Sequence, residues 1–261
     1  MKQVTENRER LKPILESIIF LGRQNIPLRG HRDDGSLNLD DMPLSNEGNF
    51  RELLRYRAES GDSKLKEQLK TSGKNATYIS KTTQNQLIDC CAKEVIGVIL
   101  ERVKSARYYS IIFDEATDVS HSSQLNLALC YAFDNHRLQD FIGFVDVHHA
   151  TFEPSTADKE PTVNGKVVGQ LLLSLLEEMG LNLLDCVGIG TDGCAMMVSN
   201  NCGAVVEIQK KAKNASRYPC FNHALNLSLS RSSAVSSIRN AIGIVKEVVA
   251  FLMHLRREIT S

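Results

Sequence analysis

Hydrophobic periodicity changes character after Arg107, and this change limits the possible folds. Upstream, apolar residues recur at helical spacing, as in Leu11, Ile14, Leu15, Ile18, Ile19 and Leu21. Downstream, short apolar segments with strand character cover 109–113, 124–133 and 141–149. The whole order reads β-β-β-α-β-α-β-α, which requires a meander followed by helical crossovers. The sequence therefore predicts an α/β fold: a mixed sheet with flanking helices over 106–261, preceded by a helical N-terminal region over 1–105.

The remaining elements follow from the same patterns. In the N-terminal region, helices are expected over 50–58 and 81–104, with a loop over 30–48 and a break at Gly61-Asp62-Ser63. The second of these helices carries an apolar stripe that is expected to pack against the core: Leu87, Cys90, Cys91, Val95, Val98, Ile99 and Val103. Downstream, the patterns predict helices over 165–179, over 203–213 and from 224 onwards, and strands over 183–189 and near Tyr218.

Composition excludes some classes of protein. No apolar run reaches the length of a membrane span, and the charged N-terminus does not resemble a signal peptide, so no membrane partner is expected. Seven cysteines without regular spacing predict free thiols in a reducing compartment. The net charge of zero conceals +4 over 1–110, −10 over 111–200 and +6 over 201–261. An acidic middle between basic flanks fits a metal site that grips phosphate, although solvated charged faces explain it equally well.

Two aspartates stand where ligand sites form in α/β sheets. Asp114 follows the apolar segment Ile111-Ile112-Phe113, and Asp192 follows the predicted strand that ends near Ile189. Ligand sites in open α/β sheets lie at the carboxyl ends of strands. Two carboxylates brought together there repel each other unless a hard cation such as Mg²⁺ lies between them. Either aspartate taken alone is more often a solvated loop residue.

Several segments, in order along the chain, resemble hAT-superfamily DNA transposases, more narrowly the branch shared with zinc-finger MYM-type proteins and repressor-type derivatives. The segments are FLGRQNIPLRGHRDD, KNATYISKTTQNQLIDCCAKEV, YYSIIFDEATDVSHSSQLNLALCYAF, GIGTDGCAMMVSNNCGAVVEIQKK and CFNHALNLSLS. The resemblance covers nearly the whole chain. It implies an RNase H-like core and an Asp-Asp-Glu catalytic triad that uses Mg²⁺ or Mn²⁺.

By this resemblance Asp114 and Asp192 match the first two catalytic, metal-binding residues of the triad. The glutamate of the family lies beyond a helical insertion, and neither Glu247 nor Glu258 stands at its position. Strand transfer by this chain alone is therefore expected to be impaired. The resemblance also implies DNA as partner, a nuclear location and possible self-association through family regions outside these residues. A domesticated, non-catalytic scaffold that binds DNA or protein is the alternative.

Cys220 and His223 match a Cys-x-x-His segment that lies near the active site in the family and helps to handle DNA. A histidine at a helix start can contact a phosphate. Two alternatives remain open: a zinc site formed with Cys194 and Cys202, whose spacing lacks a close first cysteine pair, and a packed cysteine beside a surface histidine.

Two other motifs are weaker. Residues 188–193 satisfy G-x-G-x-x-G, but the acidic residue that dinucleotide binding needs about 20 positions later is missing. Asp114 also resembles the nucleophile of haloacid dehalogenase-type phosphatases, which carry a second aspartate where this chain has Ala116.

Overall fold

A computed structural model describes residues 2–35, 37–40, 43, 45–72, 77–117, 123–147, 164–232 and 235–259. The chain divides into two compact units, Met1–Val98 and Ile99–Ser261. All seven cysteines are free thiols. Within the described ranges, no helix is both long enough and apolar enough to cross a bilayer.

The first unit is helical, as the sequence predicts. Its elements are α1 (Lys2–Arg23), α2 (Asn49–Glu59), α3 (Ser63–Thr71) and the first part of α4 (Lys81–Ala106). One side of each helix faces a common apolar core, whose members include Ile14, Ile18, Leu21, Phe50, Leu54, Leu65, Leu69 and Leu87. Burial of these faces stabilises the helices far more than their intrinsic propensities do.

Helix α3 begins where the sequence predicts a break. Gly61 adopts a φ of +111°, which reverses the chain after α2. The Asp62 side chain then caps the new helix by accepting the Leu65 backbone N–H at 3.1 Å. Leu65 and Leu69 anchor the short helix in the core. The break is real, but it separates two helices rather than ending the helical region.

The predicted apolar stripe of α4 is only partly buried. Leu87, Ile99 and Val103 are buried, whereas Val95 is 59% exposed and Val98 is 48% exposed. Cys90 is exposed too, so the expectation that the whole stripe packs against the core is wrong at these three residues. Their spacing is helical, but the described surroundings bury other faces of this helix.

A buried ionic cluster joins α2 to the segment before it. The guanidinium groups of Arg51 and Arg55 are 2% and 3% exposed, and both pair with Glu47, at 3.2 and 2.7 Å. Arg51 also donates to the Gly35 carbonyl at 3.0 Å. Shared use of one carboxylate by two buried cations fixes the irregular segment against the helix.

The second unit contains a five-stranded mixed sheet, and the α/β prediction is confirmed. Its strands are β1 (Tyr109–Thr117), β2 (Ser123–Phe133), β3 (His136–Asp146), β4 (Cys186–Thr191) and β5 (Ser216–Pro219). They lie in the order β3-β2-β1-β4-β5. The first three form an antiparallel meander, while β4 pairs in parallel with both β1 and β5.

Two strands are displaced from the sequence expectation. β3 begins at His136 because a tight turn at Asp134-Asn135, both with positive φ, brings the chain straight back along β2. Leu183–Asp185 forms a short 3₁₀ turn, so β4 starts later and reaches Thr191. The later end brings Asp192 directly to the end of the strand.

One face of this sheet is buried by helices. Helix α5 (Gly165–Glu178) contributes Val168, Leu172 and Leu176 to a core that also contains Ile208 of α7 (Ala204–Lys211). A single-turn helix, α6 (Ala195–Val198), precedes α7, and two helices follow β5: α8 (Phe221–Ser232) and α9 (Ser236–Ile259). The alternate β1 residues Tyr109, Ile111 and Phe113 all lie in this core.

Candidate functional site

Asp114 and Asp192 lie at the carboxyl ends of neighbouring parallel strands. The last paired positions of β1 and β4 are Ile112 and Gly190. Two residues further along each chain come Asp114 and Asp192. Neighbouring strands lie about 4.8 Å apart, so this register places the two aspartates side by side. The structure thus brings together the two acids that the sequence singles out.

Strand alternation explains why these acids face away from the core. Phe113 is fully buried, so Asp114, its neighbour in β1, projects from the opposite face. The same alternation sets Asp192 opposite the buried Thr191. Asp114 is exposed and Asp192 is half-buried, so both carboxylates are accessible from solvent. Asp118, four positions after Asp114, lies outside the described residues.

The two carboxylates interact electrostatically. Partial burial and then the negative charge of Asp192 raise the pKa of the Asp114 carboxyl, while the Glu115 backbone N–H and His223 act in the opposite direction. Because Asp114 is exposed as a residue, its loss of solvation is incomplete, and the neighbouring charge is the more informative cause. Paired acids that repel each other in this way are a favourable place for a cation.

The turn after β4 holds Asp192 in place. Its Oδ1 atom accepts the Cys194 backbone N–H at 3.2 Å, which forms an Asx turn immediately before α6. Burial, followed by a hydrogen bond to the Asp192 carboxylate, raises the pKa of the Cys194 thiol. Both causes favour the neutral form of the Cys194 thiol.

The Cys220–His223 segment joins the site from β5. The Cys220 backbone N–H donates to the Thr191 carbonyl at 3.1 Å, which continues the β4–β5 ladder up to the start of α8. His223 lies in the first turn of α8. A Cβ atom on Gly193 would lie 3.2 Å from His223 Cδ2, so the glycine allows the imidazole to approach the turn that carries Asp192. His223 thus stands beside the acid pair, while the Cys220 side chain is exposed.

The donor atoms of the site suit a hard cation. Two carboxylates offer the oxygen ligands that Mg²⁺ and Mn²⁺ prefer, and their mutual repulsion is relieved by positive charge. Over the described part of the chain, no three His, Cys, Asp or Glu side chains converge well enough to form a complete metal site. Among the described residues, Cys194, Cys202, Cys220 and His223 do not come together as the zinc alternative requires.

A cavity of about 560 Å³ extends from the acid pair along the open face of the sheet. Its lining includes Ile112, Gly190, Tyr218 and, at its far edge, Arg137. Sequence reasoning did not assign these residues to the site, although Gly190 lies in the G-x-G-x-x-G motif and Ile112 and Tyr218 lie in predicted strands. The alternation Ser110-x-Ile112-x-Asp114 and Gly188-x-Gly190-x-Asp192 marks one face of two neighbouring strands and was the available signal. Arg137 has no local signal, because its position depends on the pairing of β3 with β2.

Residues 1–200 match the protein family DUF4371, described as the ZMYM1/FAM200 RNase-like domain. The chain belongs to this family. An RNase-like domain is the fold class that the strand order and the sequence resemblance indicate, and the fold prediction is thereby confirmed.

Curated relatives extend the match beyond residue 200. The chain is 29% identical over 255 residues to the human "52 kDa repressor of the inhibitor of the protein kinase" and 28% identical over 255 residues to the mouse protein of that name. In both cases 94% of this chain is covered, but only 30% of the relative. These similarities support the coarse prediction of a transposase-derived RNase-like domain in this family.

Proposed function

We propose that this chain is the RNase H-like part of a hAT-transposase-derived nuclear protein that binds DNA, with Asp114 and Asp192 holding Mg²⁺ or Mn²⁺ against a phosphate. The observation that carries the proposal is the position of the two aspartates at the ends of adjacent parallel strands. The basic flanks, with net charges of +4 and +6, suit the same partner.

Each residue of the site has a separate part in this proposal. The carboxylates of Asp114 and Asp192 bind the cation, and the Cys194 backbone N–H orients Asp192 through its Oδ1 atom. His223, at the start of α8, contacts a phosphate beside the acids. A divalent cation bound here would polarise a phosphate oxygen.

We further propose that binding, and not cleavage, is the main activity of these 261 residues. Two-metal phosphodiester cleavage needs more ligands than two carboxylates supply, and the described residues contain no third one placed to help. The second candidate function is a non-catalytic scaffold for DNA or protein. It is favoured by the curated relatives, which are named as repressors. Self-association of the chain stays a prediction.

The proposal is tested by a titration of the protein with Mn²⁺. Bound Mn²⁺ is measured as the loss of the electron paramagnetic resonance signal of the free ion. Asp114→Asn and Asp192→Asn should each weaken binding at least tenfold, since one carboxylate alone is a poor ligand set. Glu178→Gln, an exposed acid at the end of α5, is the matched control and should bind Mn²⁺ like the wild type. Equal binding by all four proteins would exclude a cation site at the aspartates.

DNA binding is measured in parallel by fluorescence anisotropy over a range of salt concentrations. The affinity should fall steeply as salt increases, because bound cations are released from the phosphates. Robust cleavage of DNA in Mn²⁺, abolished by Asp114→Asn, would show that the chain supplies its own third ligand. It would replace the binding-only proposal with a nuclease.

A further inference from the structure

The face of the sheet that is opposite the buried one is here called the open face. Two glycines, Gly188 and Gly190, form the floor of the cavity on this face, beside the acid pair. A Cβ atom on Gly188 would lie 2.5 Å from Ser110 Oγ, and one on Gly190 would lie 3.3 Å from Ile112 Cγ1. Side chains at these positions would fill the cavity, so the two glycines keep it open. The volume of about 560 Å³ lies within the ~300–1,000 Å³ range of ligand pockets.

Aromatic rings stand at the side of this floor. Tyr218 of β5 is 60% exposed, yet its Cε2 atom would lie 3.3 Å from a Cβ on Gly188, so the ring rests against the glycine floor. Phe221, the first residue of α8, is 83% exposed at the rim. Exposed aromatic rings beside an apolar slot are the usual means of stacking a planar ligand.

The two ends of the cavity carry opposite charges. Asp114 and Asp192 lie at one end, at the carboxyl ends of their strands. At the other end Arg137 Nε donates to Cys130 Sγ at 3.3 Å, and Cys130 lies opposite Ser110 in the β1–β2 pairing. From Ser110 to Asp114 the strand rises ~13 Å. The slot between the charged ends has room for a base with its sugar.

We propose that this cavity binds an unpaired nucleobase of a DNA strand whose phosphates lie at the two ends. The inference rests on the proposed function, because the acid end attracts phosphate only through a bound cation. Arg137 supplies the positive charge for the next phosphate along the strand. An apolar protein helix in the same slot would leave the acids and Arg137 facing uncharged groups, which is costly. A nucleotide gives both ends a partner.

The test compares two DNA probes in the presence of Ca²⁺. One is a single-stranded oligonucleotide with one 2-aminopurine, and the other is the fully paired duplex of the same sequence. The 261-residue chain should bind the single strand more tightly than the duplex and change the 2-aminopurine emission. Tyr218→Ala and Phe221→Ala should each weaken single-strand binding about tenfold, the effect of losing one stacked base. The loss should be larger for the single strand than for the duplex. Phe144→Ala, at an exposed phenylalanine of β3 outside the cavity, is the matched control and should bind both like the wild type.

The possible failures are distinguishable. If both aromatic variants bind the single strand as the wild type does, while the chain still binds DNA, the base pocket is wrong and the proposed function stands. If the wild type binds neither oligonucleotide, both proposals fail. If Tyr218→Ala and Phe221→Ala instead change the molecular mass measured by light scattering, the cavity is a protein interface and the nucleobase proposal is overturned.

Discussion

The two units of this chain treat buried polar groups in opposite ways. Among the described residues, the buried polar and charged side chains of the helical unit are Ser17, Asp33, Arg51, Arg55, Gln68 and Gln84, whereas the sheet unit buries only Thr191. In the helical unit the charges pair with one another inside the structure. In the sheet unit the acids of the candidate site stand on an open face, beside a core that is almost entirely apolar.

This difference separates charges that are paired within the fold from charges that are open to a ligand. Each carboxylate oxygen of Glu47 pairs with a buried arginine. Asp114 and Asp192 lie at neighbouring strand ends, where the Glu115 backbone N–H and His223 only partly offset the effect of their repulsion on the Asp114 pKa. A charge that is already paired holds the fold, while a charge that is left in repulsion attracts a partner from outside.

Removal of the carboxylate from the ionic cluster should have the largest effect on stability. Glu47→Gln leaves two buried guanidinium groups without their shared anion, and breaking a buried pair costs about 3–5 kcal/mol. Chemical denaturation followed by circular dichroism measures the loss. Glu52→Gln is the matched control, because Glu52 pairs with the same Arg55 from an exposed position and should cost under ~1 kcal/mol. Equal losses in the two variants would mean that burial of the charge is not what matters.

The apolar core of the sheet unit should keep the buried thiol of Cys186 in its neutral form. Burial raises the pKa of the Cys186 thiol from 9.0 to about 11. The unfolded chain loses this proton at the lower value while the folded chain keeps it, so stability should fall as the pH rises from 9.0 to about 11. The contribution is about 3 kcal/mol. Unfolding measured across this interval should show a shallower decline for Cys186→Ala than for the wild type. If the free energy of unfolding falls equally with pH in the two proteins, another group causes the loss of stability at alkaline pH.

The smallest effect is expected at Thr191, the one buried polar side chain among the described residues of the sheet unit. The Thr191 hydroxyl has no hydrogen-bond partner within the described structure. Thr191→Val replaces it with a methyl group of similar shape and should leave the free energy of unfolding unchanged or raise it by up to ~1 kcal/mol. Thr191→Ser retains the hydroxyl but loses a methyl group, and it should be less stable than either protein in thermal melts. A clear loss of stability in the valine variant would reveal a partner for the hydroxyl.

Local sequence patterns predict most of the helices and strands and the two aspartates of the candidate site. They do not predict which strands lie side by side. Asp114 and Asp192 follow apolar strands, so their positions at strand ends can be read from the sequence. That β4 lies beside β1 cannot be read in this way, because the pairing is long-range, and only the resemblance to a known fold indicates it. Helix α3 was missed because its support comes from tertiary burial of Leu65 and Leu69. Val95 and Val98 mislead for the converse reason: periodicity marks an apolar face but does not identify what covers it.

The long-range pairing of β1 with β4 has a consequence for how the protein acquires its site. The meander of β1 to β3 involves contacts near in sequence, whereas β4 returns to β1 only after the intervening helix, as in the bond from the Tyr109 hydroxyl to the Asn182 carbonyl, 73 positions away. Contacts of such separation form slowly, since the closure of a long loop precedes any gain from the contact. We therefore expect the acid pair to form late in folding. Under the proposed function, a partly folded chain carries the basic N-terminal segment before it has the paired acids, so contact with DNA should precede binding of the cation.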